Sequence, residues 1–60
     1  MAQAVGGDLL GFREQALRAR REGLAAVRAG RPPTDAPRYT DPRLTAAWVR
    51  GYVAAKQAEQ

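Results

Sequence analysis

"PRLTAAWVRGYVAA", residues 42–55, holds the only tryptophan of the chain and one of its two tyrosines. Leu44, Ala47, Trp48, Gly51, Tyr52 and Ala55 recur there at offsets of three and four, which is one face of an α-helix. Asp41 followed by Pro42 supplies an N-cap acceptor and a proline at the first helical position, so a helix is predicted over about 42–57. Its large side chains need an apolar surface to face, and the rest of the sequence must provide one.

The candidate surface lies upstream. Residues from Leu9 to Ala29 are mostly strong helix formers without proline, Asp8 is placed to cap them, and Gly30 with Pro32 and Pro33 ends them. A first helix is therefore predicted over about 8–29, after a flexible segment 1–7. At 100° per residue Phe12, Ala16, Ala19, Gly23, Ala26 and Gly30 share one narrow sector, and all but Phe12 are small. Leu9, Leu17, Leu24 and Val27 continue the apolar surface on one side. A glycine inside a helix costs about 1 kcal/mol relative to alanine, so Gly23 points to close packing at that level.

Segment 30–41, "GRPPTDAPRYTD", reads as a stiff proline-rich linker, because the residue before each proline is pushed to extended geometry. The expectation is an all-α fold, a two-helix antiparallel hairpin in which Trp48 and Tyr52 fill the small-residue trough and Gly51 lets the backbones approach. Two helices make a thin core. A second copy burying Trp48, or the edge formed by Leu10, Leu17 and Leu24, is an open alternative.

Composition narrows the function. The 60 residues include no cysteine and no histidine, which removes disulfide scaffolds, the usual zinc sites and the familiar nucleophile–base pairs. The six acidic residues show no ligand spacing, so no cofactor or metal is expected. "GGDLLG" (6–11) lacks the lysine and preceding strand of a phosphate loop. Lys56 reads as a solvated helix-end residue, and no residue set suggests an enzyme. No apolar run approaches the roughly 18 residues of a membrane span, and no secretory signal is visible, so a cytoplasmic location is expected.

Ten basic residues against six acidic ones give a net charge of +4, and nine of the ten are arginine. Arginine matches phosphate with a planar fork and stacks on bases. Arg20, Arg21, Arg28, Arg31, Arg38 and Arg43 are the candidate phosphate contacts, against the alternative of an arginine-rich solubilising surface. Arg38 and Tyr39 place a guanidinium beside a ring, a pairing suited to RNA, although Tyr39 equally suits packing over the helix junction.

"EGLAAVRAGRPP" (22–33) followed by "APRYTDPRLTAAWVRGYVAA" (36–55) resembles the ribosome modulation factor family. The residues that carry the resemblance are Gly23, Ala26, Gly30, Pro37, Tyr39, Trp48, Gly51 and Tyr52. The resemblance implies two helices joined by a linker, and a role in ribosome hibernation through the small subunit. Related small proteins carry a fluoroquinolone-resistance assignment that uses ATP. Here Arg38 separates Pro37 from Tyr39, and the lead-in before residue 13 is nearly neutral. Three readings follow: a ribosomal or structured-RNA-binding module that dampens translation; a phage-like module that docks on a host protein through an exposed aromatic face; and, third, a drug-modifying protein.

Overall fold

Helix α1 spans Gln3–Arg28, a single 3₁₀ turn covers Pro33–Asp35, and helix α2 spans Pro42–Glu59. The computed structural model describes the backbone of residues 3–59 and the side chains of residues 11–59. The all-α pair of packed helices predicted from the sequence is present, with no strand among the described residues.

The start of α1 corrects the expected boundary. The helix runs back through Gly6, Gly7 and Asp8 to Gln3, so Asp8 is not a capping position and residues 3–7 of the expected lead-in are helical. Extending an existing helix carries no new nucleation cost, and two glycines weaken it without breaking it as proline would. The side chains of Asp8, Leu9 and Leu10, together with residues 1, 2 and 60, lie outside the described residues.

The other end of α1 closes as predicted. Gly30 adopts a positive φ of 73°. Its N–H donates to the Val27 carbonyl at 3.0 Å, and the Arg31 N–H donates to the Ala26 carbonyl at 2.9 Å. This pair of bonds is a Schellman cap, which satisfies carbonyls that the helix would otherwise leave unpaired. The connector then leaves in extended geometry at Pro32 (φ −76°, ψ 159°) and makes its one 3₁₀ turn. Asp41 caps α2 as expected: its Oδ1 accepts from the Arg43 N–H at 2.9 Å.

The direction of pairing differs from the antiparallel hairpin anticipated. Contacts advance together along both helices: the Arg43 guanidinium lies over Phe12, Leu44 shares a cleft with Gln15, Arg18 and Ala19, Gly51 meets Arg20, and Tyr52 reaches Arg31. The helices therefore run in the same general sense, and the connector carries the chain back alongside α1. Short loops force neighbouring helices antiparallel. The connector here has thirteen residues, 29–41, and near-extended chain covers about 3.1 Å per residue, ample for the return.

The core consists of Ala19, Ala26, Val27, Trp48, Tyr52 and Ala55, with Ala36, Tyr39 and Ala47 packed against it. Trp48 keeps only 2% of its surface exposed, so it is covered within the chain and is not held for a second copy. It stacks on Tyr52 with ring centroids 5.2 Å apart. The Tyr52 hydroxyl donates to the Arg31 carbonyl at 2.8 Å, tying α2 to the cap of α1. Burying side chains of this size contributes about 1.5–3 kcal/mol each. Val27 is buried as well, whereas Leu17 and Leu24 stay 50% and 37% exposed.

Gly23 and Gly51 mark the closest approach. A methyl group on Gly23 would strike the Trp48 carbonyl oxygen and lie 2.8 Å from the Tyr52 nitrogen; one on Gly51 would strike the backbone of Arg20. The spacing between the helices is thus set by hydrogen atoms at both positions.

Candidate nucleic-acid interface

The connector makes the two flanks of the helix pair unlike. On the flank it follows, Ala36 and Tyr39 pack on the core, and Glu22, Ala25, Ala26, Ala29, Arg31, Asp35, Pro37 and Trp48 line a cleft of about 360 Å³. The other flank is uncovered. There Leu17, Arg20, Arg21, Leu24, Gly51 and Ala54 line a cleft of about 270 Å³.

Arginine gathers on the open flank and its edges, while Arg18 and Arg31 stand on the connector side beside Glu22. At 100° per residue Arg13 and Arg20 fall on the open flank of α1, with Arg21 and Arg28 on its outer edge. Arg43 and Arg50 fall on the facing flank of α2 with Ala47, Gly51 and Ala54. Glu22 turns to the opposite side of α1, toward the connector, whereas Glu14 falls on the outer face within about 20° of Arg21. Among the described residues Arg43 is the one arginine with a carboxylate partner.

The predicted RNA contacts accordingly separate. Arg20, Arg21 and Arg28 lie on or beside the open flank, and all three are exposed. Arg31 and Arg38 are exposed at the α1 cap and on the connector, away from that flank. Arg43 is differently engaged. Its Nη2 donates to Asp41 Oδ2 at 2.8 Å, its Nε donates to Oδ1 at 3.2 Å, and its guanidinium carbon sits 4.2 Å from the centre of the Phe12 ring. It links the α2 cap to α1 by an ion pair and a cation–π contact. These hydrogen bonds, side-chain first and then backbone, hold the Asp41 carboxyl below its ordinary value.

Tyr39 is also engaged. Its ring packs on the core and its hydroxyl donates to Glu22 Oε1 at 3.2 Å. Burial, then the Glu22 charge, then that hydrogen bond raise its pKa above the ordinary tyrosine value. Trp48 and Tyr52 are buried and Phe12 lies beneath Arg43, so the described residues present no open aromatic face. The exposed aromatic docking surface anticipated for a host protein is therefore not formed.

Arg13 and Arg50 are the flank residues left out of the predicted contacts. Both would have emerged from the helical wheel once the facing flanks were known. Of the residues that carry the family resemblance, Gly23, Ala26, Gly30, Trp48, Gly51 and Tyr52 all serve helix packing or the α1 cap. They specify the helix pair.

Among the described residues no group of three or more Asp or Glu side chains could hold a metal ion, and no helix is long and apolar enough to cross a membrane. In comparisons with known proteins, the chain matches no family model, no curated protein and no solved structure.

Proposed function

We propose that the chain is a non-enzymatic module that binds structured RNA, with the small ribosomal subunit as its target, and dampens translation in the cytoplasm. The observation that carries this reading is the clustering of arginine on the open flank. Arg13, Arg20, Arg21, Arg28 and Arg50 fall on that flank and its edges, and Glu22 turns to the other side. From Arg13 to Arg28 the helix rises about 22 Å, enough to follow several successive phosphates.

The same geometry supports one mode of contact. With every described aromatic ring packed or covered, recognition rests on phosphates and on the shape of a folded or duplex RNA rather than on stacked, unpaired bases. Arg38 and Tyr39 then belong to the connector flank, not to the RNA face.

A salt titration tests this. Binding to purified small subunits, followed by fluorescence anisotropy, should weaken linearly in log–log form, with a slope of about −0.7 to −0.9 for each phosphate neutralised. Combined Arg13→Gln, Arg20→Gln and Arg21→Gln replacement should flatten that slope by about two to three units. A binding constant indifferent to salt would remove the reading. Co-sedimentation with ribosomal particles in a sucrose gradient tests the choice of target.

A further inference from the structure

The open flank holds more than a phosphate surface requires. Leu17 and Leu24 are 50% and 37% exposed. They stand two helical turns apart, about 10.5 Å along one side of α1. With Gly51 and Ala54 of α2 they form a lengthwise furrow of about 270 Å³, and Arg20 and Arg21 are the only charged residues in its lining. Leucine and alanine offer nothing to an RNA backbone, so the furrow calls for an apolar occupant. Its walls are two helices running in the same general sense, and its floor is where Gly51 presses on the Arg20 backbone. A third helix can settle there with its apolar stripe down.

Charge decides which helix. A second copy of this chain would bring Arg20 and Arg21 against their own counterparts, a juxtaposition that like charges oppose. A helix with leucines at i, i+3 and i+7 and Asp or Glu beside them would pair each arginine while covering Leu17 and Leu24. We infer that this furrow is a docking site for an acidic amphipathic helix of a partner protein. The site shares Arg20 and Arg21 with the proposed RNA face, so a docked helix and RNA exclude one another there. The docking itself does not rest on the RNA reading.

The probe is a synthetic helical peptide with leucines on one face and glutamates on the other, titrated into the intact protein without RNA. Amide shifts in nitrogen–proton correlation spectra should concentrate at Leu17, Arg20, Arg21, Leu24, Gly51 and Ala54. Leu17→Ser with Leu24→Ser should weaken binding by about tenfold or more. Both residues are substantially exposed, so the variant should keep its fold, and circular dichroism checks this. Equal affinity for a peptide with its leucines replaced by serine would overturn the inference. So would sedimentation showing a dimer that the double variant dissociates, since the occupant would then be a second copy. A matching tenfold loss of small-subunit binding in the double variant would assign the furrow to RNA and overturn it likewise. Peptide binding without any RNA binding would sustain this site and remove the function proposed above.

Discussion

Gly23 of α1 lies against the carbonyl of Trp48 in α2, and no carbon atom fits between them. Gly51 makes the reciprocal contact on the backbone of Arg20. Each glycine acts as a spacer whose value is its missing side chain, and this sets up a comparison of sign. Helix propensity alone makes glycine-to-alanine favourable by about 1 kcal/mol. Gly23→Ala and Gly51→Ala should nonetheless destabilise the fold by about 1–3 kcal/mol, because backbone, not a flexible side-chain tip, must move. Gly11→Ala meets nothing within 4 Å and should stabilise by about 1 kcal/mol. Chemical denaturation of the three variants checks the pattern, and three shifts of one sign would contradict it.

Gly30 holds its φ of 73° to close the α1 cap. Alanine at that position has space around it but not the conformation, so Gly30→Ala should cost about 1–2 kcal/mol. Loss of amide-exchange protection at Gly30 and Arg31 would locate the damage.

Tyr52→Phe keeps the stacked ring and removes the donor to the Arg31 carbonyl. The expected loss is about 0.5–1.5 kcal/mol, with Trp48 fluorescence unchanged in the folded state. An unchanged denaturation midpoint would show the hydroxyl to be better served by water.

Asp41 gives the fold an acid-sensitive joint. Its folded-state pKa is lowered by Arg43, so its stabilisation is complete above the ordinary value of 3.8 and is lost as pH falls through the lower folded value. Asp41→Ala should lower the melting temperature at neutral pH and narrow the difference between variant and parent below pH 3.8. A gap that stays constant into acid would mean the carboxylate charge contributes nothing.

Tyr39 behaves oppositely. Its folded-state pKa is raised, so the neutral hydroxyl's contribution is fully present below the ordinary value of 10.0 and fades as pH rises through the folded value. Tyr39→Phe should therefore lose less stability than the parent between neutral pH and the alkaline limb. Spectrophotometric titration, read as the difference between parent and Tyr39→Phe, should show Tyr39 ionising late.

The helical stripe of α2 was plain in the sequence: Leu44, Trp48, Gly51, Tyr52 and Ala55 are all buried. So were the Asp41 cap, the Gly30 stop and the trough at Ala19, Gly23 and Ala26, because each rests on chemistry within a few residues. The direction of α2 was not visible there. A wheel assigns faces, and a bulky stripe fits a trough of small residues either way along; a connector of this length permits both directions, so tertiary contacts such as Arg43 over Phe12 decide. Arg43 was not foreseen to engage Asp41 and Phe12, because charge was weighed without its neighbours. Its place two residues after the capping Asp41 was the available signal, while Phe12 beneath it could only come from the fold. The arginines of the open flank could be grouped only after the connector was seen to cover the other side.

Two helices that point the same way add their peptide dipoles instead of cancelling them. The carboxyl ends of α1 and α2 therefore form a shared pole, with about half a negative charge from each helix. Arg28 and Lys56 stand in the last turns there, and part of their positive field offsets that pole. For the polyanion proposed above, the strongest attraction would lie farther back, beside Arg13, Arg20 and Arg21. On the proposed function, the fold would orient this small protein before any specific contact is made.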